Sequence, residues 1–329
     1  MQFNPAVAAA AFLLLAAPLS AQEDAAPVNR SFTAFTIPEK DLLPENVAYD
    51  ARTKSFLVGS TRKGKIVRVD SLRGVHEFVA PRAHGLWMVI GMKADAPNRD
   101  LWVASSNGGN LEAHDATAPQ SAAIFRFDLD DGSLRRRYDL PAAAGNRFLN
   151  DLVITPAGDV FVTHMFDEPG VWVLRRGRDE LTRLPVTPGF TLPNGITSDE
   201  RGTLFLAHRE GISVVDAATG ERRQLDDPDQ LRSGGIDGLY YHAGALVAIH
   251  PAAGLVRRYR LDAARTRIIA AETLEARHPM FGNPTTGVIV DAQLFYIANA
   301  QFDRIRDGVL RPMEELYEPV ILRLPLSIP

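Results

Sequence analysis

Apolar positions along this chain come in short runs, not in helical stripes. Stretches rich in Val, Ile, Leu, Phe and Tyr recur at strand length, separated by turn pairs such as DG at 131, AG at 157 and TG at 219. No long helix is expected after residue 30. The runs align with one another in six segments: ENVAYD at 45, HGLWMV at 84, NDLVIT at 150, NGITSD at 194, DGLYYH at 237 and TGVIVD at 286. Each is followed by a second strand, among them SFLVGS, DVFVTH and TLFLAH, and several by a third, such as KIVRVD, AIFRFD and GISVVD. A period of roughly 40 to 50 residues marks a radial array of small sheets. The long interval, from 84 to 150, contains the polar insert NGGNLEAHDATAPQSA at 107 to 122.

One such sheet cannot bury both faces alone, but six around an axis bury them against each other. The pattern therefore predicts an all-β, six-bladed β-propeller over residues 31–329. The stretch SFTAFTIP at 31 to 38 is expected to complete the last blade as its outer strand.

In this array the residues opening each first strand lie on one face, beside the central channel. They are Glu45, His84, Asn150, Asn194, Asp237 and Thr286, and Gly follows in four of them, at 85, 195, 238 and 287. Singly, an Asn-Gly or Asp-Gly is a turn and a Pro-Glu pair is a solvated loop. At one register they converge. Glu45, Asn150, Asn194 and Asp237 then form an oxygen-rich set suited to Ca²⁺, which takes about six to eight such ligands. Another divalent cation stays open. Thr286 reads as structural, its hydroxyl placed to serve a neighbouring blade's backbone. Histidine is the one residue type in the ring whose unperturbed side chain ionises near neutrality, which makes His84 a candidate for proton transfer. His164, His208 and His250 each end a second strand and are expected away from the ring, while His114 lies in the insert. Trp87, Phe148 and Phe281 are candidate apolar lining for a substrate pocket.

Composition narrows the classes. The chain has 329 residues, 46% hydrophobic and 23% charged, ample for a large core. It has no cysteine, hence no disulfide, thiolate nucleophile or Cys-bound zinc. A net charge of -4 without a basic block argues against nucleic acid as a partner. Residues 6 to 19, AVAAAAFLLLAAPL, followed by LSAQ, read as the core of a secretory signal peptide over 1–21, with 22–30 as linker. That implies a periplasmic or secreted protein without a membrane span after cleavage. MQFN carries no basic residue, so an uncleaved anchor stays open. The chain has no G-x-S-x-G and no H-E-x-x-H. GSTRKGKI at 59 to 66 fails as a phosphate loop, because Ile66 replaces the required hydroxyl. NRS at 29 to 31 fits a glycosylation acceptor.

The motifs PENVAYD, RFLNDLVITPAGDVFVTH, LPNGIT and IDGLYYHAGALVAIH, with NPTTGVIVD, resemble the SMP-30/gluconolactonase superfamily, whose architecture the paraoxonase-like lactonases share. The resemblance implies a catalytic divalent ion on Glu45, Asn150, Asn194 and Asp237. It implies either Asp237 or His84 as the base, and Arg147 and Asn150 as substrate contacts; Arg147 stands one residue out of the family's spacing. It also raises a second, structural ion, for which Asp151 fits and Asn46 does not. The expected function is metal-dependent hydrolysis of a lactone or related ester. The alternative is a non-catalytic exported propeller that binds a ligand or partner, with calcium purely structural.

Overall fold

The computed structural model describes residues 27–112, 114–115, 117, 121–141, 147–227, 235–306 and 308–327. The expected leader at 1–21, and the linker up to residue 26, lie outside the described residues. Six four-stranded antiparallel sheets follow the six repeats in order. Their innermost strands are Pro44–Asp50, Met88–Asp95, Leu149–Ile154, Ile196–Ser198, Leu239–His242 and Gly287–Val290. These strands pack side by side from blade 1 to blade 5, and that of blade 6 packs against blade 1. The fold is the six-bladed β-propeller that the repeats predict. Among the described residues, helix is limited to three-residue turns such as Ala83–Gly85. No helix among them is long and apolar enough to cross a membrane.

The strands read as continuous apolar runs because each sheet is sandwiched between two others. In the second strand of blade 1, Phe56 and Val58 face blade 6 while Leu57 faces blade 2. Six core clusters each join two consecutive blades in this way. Closure follows the expectation. Phe32–Thr36 pairs antiparallel with Val320–Pro325, Phe32 opposite Arg323 and Thr36 opposite Val320. Just before it, the buried Glu275 carboxylate of blade 5 accepts the backbone N–H groups of Arg30 and Ser31 at 3.1 and 2.7 Å.

At the face where the first strands end, arginines tie neighbouring blades. Arg99 of blade 2 clamps Asp50 of blade 1 with two bonds of 2.7 Å. Arg265 of blade 5 reaches Asp199 of blade 4, and Arg175 of blade 3 reaches the Ala217 carbonyl at 2.7 Å. Burial would raise Asp50, but the Arg99 clamp, the Thr53 hydroxyl and the Arg52 N–H outweigh it, and the carboxyl comes down to about 2.

At the opposite face, where the first strands begin, blades 1, 2 and 3 carry a bulge. The register slips between Pro44 and Val47, between Val89 and Gly91, and between Leu149 and Leu152. An extra residue in a bulge re-aims side chains at a strand's mouth. It does so for Glu45 and Asn46 in blade 1, and for Asn150 and Asp151 in blade 3.

Candidate active site

Four of the six aligned residues meet at this mouth. Glu45 and Asn150 are each 3% exposed, and Asn194 and Asp237 are half-buried. The Asn150 amide N–H donates to Asn194 Oδ1 at 3.0 Å, and the Asn194 side chain bonds Asp237 in turn. A chain of contacts thus runs through blades 3, 4 and 5, with Glu45 of blade 1 close enough to feel Asp237 and Asp151. The backbone holds this register. Thr163 Oγ accepts the Asp151 N–H at 3.1 Å and donates to the Asn194 carbonyl at 2.9 Å, tying blade 3 to blade 4. A Cβ on Gly195 would collide with the Asp237 carbonyl of the next blade, so the inner strands approach there only because residue 195 has none.

The electrostatics are those of crowded anions. Glu45 is raised well above the usual carboxylate range, by burial first and then by Asp237 and Asp151. Asp237 is pushed up to about 7, mainly by burial, against the lowering effect of its bond from Asn194.

His84 does not join them. It sits in the turn Ala83–Gly85, exposed, four residues before its strand begins. Its carbonyl accepts from Arg137 on the outermost strand of blade 2, at 3.4 Å, which puts it at the rim. The strand pairing assigns the ring position of blade 2 to Ile90, since Val89 pairs Ser105 as Pro44 pairs Ser60 and Leu149 pairs His164. The HG pair imitates NG and DG in sequence only. Blade 6 slips by one residue: the N–H that pairs like those of Asn194 and Asp237 is Thr285, not Thr286. Thr286 does what was expected of it, donating its hydroxyl to the Glu45 carbonyl of blade 1 at 2.6 Å.

The three histidines expected away from the ring are beside it. In an antiparallel sheet a second strand ends on the face where the first begins, and His164 lies opposite Leu149, next to Asn150. His208 and His250 hold the matching places next to Asn194 and Asp237. His208 Nδ1 meets Glu210 and its Nε2 meets Ser213, both at 2.8 Å. His250 Nε2 meets the Tyr259 hydroxyl at 3.0 Å. Burial, followed by Arg147 and Arg183, holds His164 below the usual imidazole range despite the Glu168 carbonyl.

Arg147 is buried, with Nη2 on the Pro141 carbonyl at 2.7 Å and its guanidinium 5.9 Å from the Trp172 ring on the third strand. It points along blade 3, away from the four-residue chain. Phe281 packs edge-on to buried Tyr296 between blades 5 and 6, which is ordinary inter-blade core. Phe148 belongs to an apolar cluster at the mouth with Met88, Ile90 and Leu111, and Trp87 packs on it.

Lys93 escaped the sequence reading. From the inner strand of blade 2 its Nζ reaches Asp151 of blade 3 at 3.1 Å and stands 5.9 Å from the Tyr240 ring of blade 5. Those partners span the axis.

No protein-family model and no curated protein matches the chain. Solved structures do. A gluconolactonase from Xanthomonas campestris is 15% identical, with a TM-score of 0.60 over 91% of this chain and 91% of its own. A putative oxidoreductase (glucose dehydrogenase) from Thermus thermophilus gives 15%, 0.62, 90% and 99%. Virginiamycin B lyase from Staphylococcus aureus gives 12%, 0.57, 88% and 97%. The chain shares their fold. Lactonase, lyase and sugar dehydrogenase thus stand on one architecture, and the residues must separate them.

The donor set fits a hard divalent cation. Glu45 Oε2 and both amide atoms of Asn46 are buried with no partner, and an unpaired buried polar group costs about 1 to 3 kcal/mol. Among the described residues no three His, Asp or Glu side chains group tightly enough to form a site by themselves. The amides of Asn150 and Asn194 would have to complete it.

Proposed function

We propose that the chain is a hydrolase that opens a lactone or related ester at a divalent cation, Ca²⁺ first, held by Glu45, Asn150, Asn194 and Asp237. One observation carries the reading: two carboxylates, Glu45 buried and Asp237 half-buried, and two amides from four blades meet at the channel mouth, and one Glu45 oxygen is unpartnered. When bound, such an ion polarises a carbonyl oxygen and stabilises the charge that develops on it.

The chain's own residues supply the rest. Glu45 and Asp237 balance the charge, and Asn194 orients Asp237 through its N–H. Asp237 keeps some exposure at the mouth and is the proton acceptor for the attacking water. His84, at the rim, takes no part. The apolar cluster around Phe148 and Leu111 favours a substrate with a nonpolar portion. The substrate is a small molecule, and the leader-like segment at 6 to 19 takes the protein out of the cytoplasm.

Purified protein stripped with EDTA and returned to calcium should regain turnover on a panel of lactones and aryl esters. Asp237→Asn should lower that turnover by ~10²-fold or more, and His84→Gln should leave it unchanged. Calcium binding without turnover on the panel would sink the enzyme reading and leave a ligand-binding propeller.

A further inference from the structure

Three carboxylates from three blades, Glu45, Asp151 and Asp237, share the channel, near enough for Asp237 and Asp151 to raise Glu45 and for Asp151 to raise Asp237. One divalent ion offsets two of them. Asp151, 2% exposed, has its own partners: Lys93 Nζ at 3.1 Å and Leu152 N–H at 2.9 Å on Oδ1, and Ile196 N–H at 3.2 Å on Oδ2. Lys93 is therefore the positive charge that answers the third carboxylate. Its side chain is partly exposed, at 23%. Close by in sequence to Glu45, the Asn46 amide is fully buried with neither atom bonded.

We infer that Lys93 is a built-in axial cation, occupying on Asp151 the place of a second metal ion, so that the mouth accepts one divalent ion and no more. A metal there would need Asp151 together with the unpartnered oxygens of Glu45 and Asn46. The ammonium satisfies Asp151 as a point charge, without demanding the six or more oxygens that calcium needs. It also joins blade 2 to blades 3 and 5 across the axis, which a side chain can do without any supply of metal. The inference rests on the ring reading above for the first ion only.

The test is metal stoichiometry on calcium-reloaded, dialysed protein, compared between the native chain and Lys93→Met. Lys93→Met should bind one calcium more than the native chain, and adding Asp151→Asn should abolish the extra ion. Equal counts in the native chain and Lys93→Met would overturn the inference, as would an extra ion that survives Asp151→Asn. The ring reading fails separately: a native chain that binds no calcium sinks it, whereas the difference between the two chains decides the role of Lys93. If Lys93→Met folds only when calcium is present, that rescue is the expected exchange read as stability. Lys93→Gln is the second variant; failure of both to fold even in calcium overturns the exchange.

Discussion

At the scale of single residues, the candidate site depends on how closely backbones approach at the mouth. Gly195 is the sharpest case, because any side chain meets the Asp237 carbonyl and the Leu239 backbone of the next blade. Gly195→Ala should therefore cost ~1 to 3 kcal/mol, read as a lower Tm, and should weaken calcium binding by moving Asn194 and Asp237 apart. Asn194 and Asp237 were legible in the sequence because an amide or acid followed by glycine recurred at one register. His84 was misplaced by the same pattern, since HG occurs there by chance in a turn before the strand. Lys93 was not legible at all. Its partner Asp151 is 58 residues away, and a lysine in a strand sequence reads as a position facing water.

At the scale of the strand and the turn, the two faces of the ring have different tasks. One face carries bulges and donors; the other carries arginine clasps. Arg99→Leu would strand Asp50, whose side chain is fully buried, and should destabilise the fold by ~3 kcal/mol. The folded Asp50 lies at about 2, against 3.8 for a free aspartate. The stability it contributes is complete above about pH 4 and is lost as pH falls through 2. A urea titration at pH 6 and at pH 2.5 should show a larger gap between native and Arg99→Leu proteins at pH 6. Strand existence was readable from the repeats, but side-to-side placement was not. The second-strand histidines were set apart because each ends a second strand, yet antiparallel pairing brings that end back to the mouth. The insert also does more than lengthen a loop: Leu111 is buried against Met88 and Phe148, and Glu112 N–H reaches the Arg62 carbonyl of blade 1 at 2.7 Å.

For the whole molecule, an ion shared by blades 1, 3, 4 and 5 would bind the folded ring and not the unfolded chain. Calcium at 100 times its Kd should then raise stability by ~2.7 kcal/mol, a rise in Tm that EDTA reverses and that Glu45→Gln reduces. The latch strand Phe32–Thr36 extends the picture from equilibrium to time. A ribosome makes it nearly a whole described chain before its partner Val320–Pro325, so a nascent chain carries an unpaired β edge until residue 325 has been made. Until then the last blade has no outer wall. The ring therefore cannot close from a partial chain: every blade must exist before the first strand finds its partner.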